Sequence, residues 1–314
     1  MLAVTDLKVH YATPRGLLRA VDGVSLSIAR GESVGLVGES GCGKTTLGHA
    51  ILGLVPVTSG SVRFNDVEIA GLSDRARTPF RRRMQMIFQD PFGSLNPRQT
   101  VGAILAGPLA VHRVGGRAER RARVARLIGE VGLSPDAVDR YPHEFSGGQR
   151  QRIGIARALI LEPELVICDE PVSALDLSIQ AQILNLLVAL KRAFALSYLF
   201  ISHDLSVVRY FGDRVLVMYL GRTVESAPAA RLWSAPLHPY TRALMAAVPD
   251  PARRRHAAPM AGDLPSPQDV PSGCRFHPRC PLASERGRVE EPLPRLFAPA
   301  HEVACHHAEI VAQS

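Results

Sequence analysis

Residues 38–46 read GESGCGKTT, and the fold follows from them. The stretch fits G-x-x-x-x-G-K-[ST]. It sits between an apolar run ending at Val37 and a helical pattern reaching about residue 54. Gly38, Gly41 and Gly43 permit a tight loop of the kind whose backbone N–H groups face a phosphate. The candidate nucleotide-binding set is therefore Gly38, Glu39, Ser40, Gly41, Cys42, Gly43, Lys44, Thr45 and Thr46. Lys44 is placed to neutralise β- and γ-phosphates, and Thr45 to turn its hydroxyl toward Mg²⁺.

Around this loop, short strands alternate with helical patterns. Residues 24–38 read as an outer strand followed by a buried one, and short strands follow near 61–70 and 85–88. Helices are expected over 100–131 and 177–194, and buried strands at 165–169, 197–202 and 214–220. Such alternation argues for an α/β fold with a mostly parallel sheet, in which ligands gather at the carboxyl ends of strands. The charge run Arg117, Arg120, Arg121, Arg123 and Arg126 reads as a solvated helix face.

The chain has 314 residues and a formal charge of +8, carried almost wholly by arginine, since only Lys8, Lys44 and Lys191 are lysines. One reading of that bias is a GC-rich genome. Net positive charge also suits a surface near anionic lipid or nucleic acid, and charge alone does not choose between them. No basic segment leads an apolar core at the N-terminus, and no run approaches 18 apolar residues. Neither a secretory signal nor a membrane span is expected, which places the chain in the cytosol. Residues 231–314 hold 13 of the 24 prolines and three of the five cysteines. They read as an appendage with little regular structure after one short helix, 238–248.

Other residues fit phosphate chemistry. FSGGQRQR, 145–152, places Ser146, Gly147 and Gly148 just before a helical pattern, a second helix start open to an anion. LVICDE, 165–170, ends a buried strand in two acids. Asp169 suits a magnesium shell and Glu170 a general base toward the attacking water. His203 directly follows the strand SYLFIS, where it can hydrogen-bond a γ-phosphate. Gln89 ends the strand MIFQ and can reach Mg²⁺ or water. Tyr11, the only aromatic in the first twenty residues, can stack on adenine or simply pack.

In order and spacing, GESGCGKT, Gln89, FSGGQ, LVICDE, SALD (173–176) and His203 resemble the ATP-binding subunits of ABC transporters, over about residues 2–314. The signature in that family usually begins with Leu; here it is Phe145, a side chain expected to pack rather than bind. QDPFGSLNPRQTV (89–101), PLHPYTRALMAAVP (236–249) and GCRFHPRCPLA (273–283) resemble the dipeptide/oligopeptide/nickel importer subfamily. The resemblance implies a P-loop NTPase fold of the ABC ATPase type, a mixed sheet with flanking helices. It places an ATPase domain at 1–230 with an inserted helical subdomain at about 90–160, then an irregular appendage of the oligopeptide-transporter type at 231–314. It also implies a second ATPase subunit, identical or homologous, paired head to tail. ATP would lie between the P-loop of one subunit and Ser146, Gly147, Gly148, Gln149 and Asp176 of the other. Two membrane permeases, an extracytoplasmic solute-binding protein and a peripheral site on the cytoplasmic face of a bacterial inner membrane complete that expectation. Mg-ATP hydrolysis would drive import of peptides or a related solute.

A rival reading is a soluble ABC-type ATPase acting on DNA or ribosomes, which the basic charge fits. Only 56 residues separate Gln89 from Ser146, without sustained heptads, so the long insertions of such enzymes are missing and no nucleic acid is expected. In the appendage, Cys274, Cys280 and Cys305, followed by His306 and His307, suit an iron–sulfur cluster or zinc, or are free thiols. The resembling subfamily includes four-cysteine clusters, and SERGRVEE (284–291) stands where another cysteine is expected.

Overall fold

The computed structural model describes residues 1–14, 16–248 and 262–313, with only the backbone of Pro91 and Phe92. Pro249, which ends one of the importer-like stretches, lies outside the described residues, as does the appendage segment 249–261. Two compact units emerge. The first takes in 1–29, 33–71 and 200–314; the second takes in 30–32 and 72–199.

The first unit opens with a long hairpin, β1 (Leu2–Thr13) and β2 (Gly16–Ile28), antiparallel from Leu2↔Ile28 to Thr13↔Gly16. Along 24–28 burial alternates, Val24, Leu26 and Ile28 in, Ser25 and Ser27 out, as period-two patterning requires. With β4 (Ser59–Phe64) and β5 (Val67–Glu68) the hairpin makes a four-stranded sheet, order β2-β1-β4-β5. β3 (Ser33–Val37) is buried at every residue and pairs in parallel with β9 (Arg214–Tyr219). β10 (Arg222–Pro228) turns back antiparallel on β9, making this sheet mixed.

The appendage is more regular than its composition suggests. β11 (Arg295–Ala298) and β12 (His301–Val303) continue the sheet, β12 pairing with β10 through Glu225↔Val303 and Ser226↔Glu302. Short helices form at Ala229–Ser234, Pro239–Ala246, Glu285–Val289 and Ala308–Gln313. Strands of three or four residues have too little local pattern to read, and β12 finds its partner β10 some 75 residues away.

In the second unit, β6 (Met84–Ile87) pairs in parallel with β7 (Leu165–Asp169), Met84↔Leu165 through Ile87↔Cys168. β8 (Ser197–Ser202), wholly buried, starts beside β7. Helices Val101–Val111, Arg117–Glu130, Gly147–Leu159 and Leu177–Phe194 bury Leu105, Leu109, Val124, Leu127, Ile128, Ile153 and Leu187. The arginine face is a solvated one. Arg117, Arg121 and Arg126 are exposed, and Arg126 bonds Glu162 at 3.0 Å. Among the described residues no helix is long and apolar enough to cross a membrane.

Within the first unit, the appendage is tied to β10 by the buried carboxylate of Glu225. Glu225 accepts the backbone N–H groups of Leu237 (2.7 Å) and His238 (3.0 Å) and contacts His301 Nε2 at 2.7 Å. His238 Nδ1 in turn accepts the Tyr240 N–H at 3.0 Å. Burial holds the His238 imidazole down at about 4, against a smaller upward pull from Glu225. The native state therefore resists a proton that the unfolded chain accepts near 6.5. Stability is complete above that pH and falls as pH drops from 6.5 toward 4, by about 3 kcal/mol in all. Unfolding free energies measured from pH 7.5 to 4.5 should show this one-proton slope, and His238→Gln should flatten it.

Candidate functional site

In the first unit, β3 delivers the chain to the glycine loop, and helix Lys44–Leu52 leaves it. The helix begins at Gly43, in the left-handed region with φ 106° and no side-chain cap, the kind of helix start that can face a phosphate. A Cβ at Gly43 would lie 2.0 Å from the Ala20 carbonyl oxygen, an approach only glycine allows. Gly221 N–H donates to the Cys42 carbonyl at 2.9 Å. Lys44, 4% exposed, folds back and donates to the carbonyls of Gly38 (2.7 Å) and Glu39 (2.9 Å). Cys42 is buried, its thiol pushed up by that burial.

Within the same unit, His203 is exposed just past β8. Asp204 behind it caps helix Leu205–Phe211 by accepting the Ser206 N–H at 2.8 Å. Tyr11, half-buried, lies on β1 opposite Leu18.

The second unit holds the acids. Asp169, 3% exposed, closes β7. Glu170 follows with φ 44°, a left-handed backbone that ordinarily costs a non-glycine residue about 1–2 kcal/mol. Ser173 holds that turn, its N–H and Oγ donating to the Glu170 carbonyl at 3.2 and 3.1 Å. Gln89 Nε2 donates to Glu170 Oε2 at 3.0 Å, so the residue read as reaching Mg²⁺ or water meets the one read as general base.

The second anion-type helix start is also here. Ser146 caps Gly147–Leu159, its Oγ accepting the Gln149 N–H at 3.4 Å, while Gln149 Oε1 accepts the Ser146 N–H at 3.0 Å. Phe145 is 4% exposed and lies under the Arg140 guanidinium, 4.4 Å from ring centroid to carbon. A Cβ at Gly148 would meet Ile179 Cγ2 at 2.6 Å, so this glycine lets the SALD helix approach. Asp176 is the N-cap of that helix, Leu177–Phe194, without a side-chain cap hydrogen bond.

Cys274, Cys280 and Cys305 line one small hollow with His306 and His307. Among the described residues, however, no group of three or more His, Cys, Asp or Glu can hold a metal ion. His306 Nε2 bonds the Glu290 carbonyl and His307 Nε2 the Ser284 hydroxyl. Burial pushes all three thiols up, Cys305 to about 12. The iron–sulfur or zinc expectation is therefore unsupported.

Sequence reading assigned Glu39 to the phosphate loop but missed its partners. Its N–H donates to Tyr240 Oη at 2.8 Å, and its carboxylate is paired with Arg279. The available signal was an acid in the variable part of the motif and an arginine beside Cys280.

A lysine-bearing glycine loop between a buried parallel strand and a helix defines a P-loop NTPase of the α/β class. More narrowly, the chain belongs to the ATP-binding subunits of ABC transporters. Residues 21–173 match the ABC transporter family, and residues 224–286 match the oligopeptide/dipeptide transporter C-terminal region. The di/tripeptide transport ATP-binding protein DppF of Pseudomonas aeruginosa is 49% identical over 319 residues, covering 98% of each chain. The oligopeptide transport ATP-binding protein AppF of Bacillus subtilis is 49% identical over 318 residues, 98% of this chain and 97% of its own. Among solved structures, a dimeric ATP-binding cassette bound to ADP and Pi superposes with TM-score 0.67 at 29% identity, covering 73% of this chain and 99% of that one. The cbiO1 cassette of Clostridium perfringens gives 0.66 at 29%, covering 74% and 90%.

The two close-approach glycines should respond differently. Gly43→Ala meets backbone and should abolish nucleotide binding by the isolated chain. Gly148→Ala meets one isoleucine methyl and should cost about 1–3 kcal/mol of stability while leaving that binding intact. Thermal unfolding and equilibrium ATP binding on both variants would check the contrast.

Proposed function

We propose that this chain hydrolyses Mg-ATP to drive import of di- or oligopeptides, or a related solute, across a bacterial inner membrane, working from its cytoplasmic face. What carries the reading is likeness over nearly the whole chain to peptide-transport ATP-binding proteins. It includes residues 224–286, which match the oligopeptide/dipeptide transporter C-terminal region, whereas the solved cassettes cover about three quarters of the chain. The working assembly is a head-to-tail pair of ATPase subunits, identical or homologous. It would bind two permeases, with a solute-binding protein delivering cargo. The domain reading that goes with it is an ATPase domain over 1–230, with a helical subdomain at about 90–160, followed by the appendage.

The residues take these roles. Backbone N–H groups from the loop 38–46 bind the phosphates, and Lys44 exchanges a carbonyl partner for a phosphate oxygen. Tyr11 packs on adenine. Asp169, Gln89 and the Thr45 hydroxyl are oxygen donors of the kind Mg²⁺ selects, and buried Asp169 brings the negative charge such an ion needs. When bound, Mg²⁺ supplies positive charge that offsets the phosphate oxygens. Glu170 takes a proton from the attacking water, and Gln89 orients that carboxylate. His203 donates to the γ-phosphate. Ser146, Gly147, Gly148, Gln149 and Asp176 serve the opposite subunit's ATP, so the nucleotide joins the dimer until it is hydrolysed.

Glu170→Gln should lower turnover by about 10²–10⁴-fold while leaving ATP binding intact, and ATP should then hold a stable dimer. Steady-state ATPase assays with size-exclusion chromatography would measure both. Ser146→Arg should stop hydrolysis without weakening ATP binding to the monomer. Lost monomer affinity in that variant, measured by titration, would contradict the head-to-tail assignment.

A further inference from the structure

Within the first unit, the appendage touches the nucleotide loop at Glu39 through two residues and supports it indirectly through a third. Tyr240, fully buried on helix Pro239–Ala246, accepts the Glu39 N–H. Arg279 grips the Glu39 carboxylate with both arms, Nη1 to Oε2 at 2.6 Å and Nη2 to Oε1 at 2.9 Å. Arg275 bonds the Leu220 carbonyl, and the next residue, Gly221, donates its N–H to the Cys42 carbonyl of the loop.

These contacts are firmly founded. The Arg279 side chain is only 5% exposed and lies 6.0 Å from the Tyr219 ring. Tyr219, Tyr240 and Phe276 form one aromatic cluster, with centroids 4.7–5.4 Å apart. Phe276 caps the single turn His277–Arg279, so the cluster fixes where Arg279 emerges. A bidentate guanidinium–carboxylate pair in such a setting is directional and weakly screened by salt.

The pair solves an electrostatic problem. A loop that collects polyphosphate carries, at its second position, a carboxylate that would repel it. We propose that Arg279, supported by Tyr240, is a positioning residue for the ATPase reaction: it neutralises Glu39 and holds it aside, so the appendage sets the loop's affinity for nucleotide. This rests on reading residues 38–46 as the nucleotide loop. Removing Arg279 does more than loosen a contact, because it exposes the nucleotide to a bare carboxylate. Removing the carboxylate as well relieves the defect.

The test uses the full-length chain and its variants Arg279→Ala, Arg279→Lys, Glu39→Gln and the double variant Glu39→Gln/Arg279→Ala. ATP binding, steady-state KM and kcat, and nucleotide-free thermal midpoints are measured for each. Arg279→Ala should weaken ATP binding and raise KM by about tenfold, with kcat changed less than about twofold. Arg279→Lys should recover part of the loss, since a lysine keeps the charge but not the fork. Glu39→Gln keeps the loop's backbone donors and leaves Arg279 without its counter-charge, so it should bind ATP more tightly than wild type. In the Glu39→Gln background, Arg279→Ala should cost less than about threefold. Equal loss in both backgrounds would mark a merely structural contact and overturn the proposal, as would unchanged affinity in a folded Arg279→Ala. If Arg279→Ala does not fold, Glu39→Gln and Arg279→Lys still decide, because a large loss of affinity in Glu39→Gln contradicts charge relief. Lys44→Ala separates the two readings. ATP binding that survives Lys44→Ala would remove the nucleotide loop itself, whereas its loss there with no effect at Arg279 would remove only the clamp.

Discussion

A backbone that binds phosphate must be bare of side chains and yet rigid, and these demands conflict. At Gly43 the conflict is resolved by contact: the loop is pressed onto the Ala20 carbonyl so closely that no Cβ fits. The hairpin β1–β2 thus becomes the wall against which the loop is shaped. Gly221, in the turn between β9 and β10, supplies the opposing support through the Cys42 carbonyl. The loop's geometry comes from its neighbours rather than from any stiffness of its own.

This explains which parts of the molecule were legible in the sequence. The loop, the acid pair after β7, His203 after β8 and the serine-capped helix are local chemistry. Each is announced by residue type at fixed spacing, and the helices Lys44–Leu52 and Leu177–Phe194 fall where their patterns place them. The Arg279–Glu39 pair joins residues 240 apart in the chain, and no local pattern marks it. The strands β11 and β12 were illegible for a related reason: seven residues in all, they find order only where β12 pairs with β10 and β11 with β12. The prolines of the appendage suggested irregularity, yet its histidines hold ordered structure. His301 meets the buried Glu225, and His238 accepts the Tyr240 N–H.

The second unit places its tension elsewhere. Glu170 occupies a backbone region that L-residues avoid, directly after the buried β7. Its carbonyl is held twice by Ser173 and its carboxylate once by Gln89. A side chain so anchored has few rotamers to lose when a reaction needs it in one place.

The two helix starts share a feature that bears on selectivity. At Ser146 the hydroxyl and the Gln149 amide already satisfy each other's backbone donors, and at Lys44 the ammonium already has two carbonyl partners. Neither is a bare pole of positive charge. An arriving anion must trade existing hydrogen bonds for better ones, so the net gain is a small difference between large terms. A simple inorganic ion, able to replace one or two partners, gains almost nothing by such a trade. A polyphosphate tail that engages many donors at once gains repeatedly. Self-satisfaction at rest therefore acts as a filter, and it keeps the grip weak enough to be released.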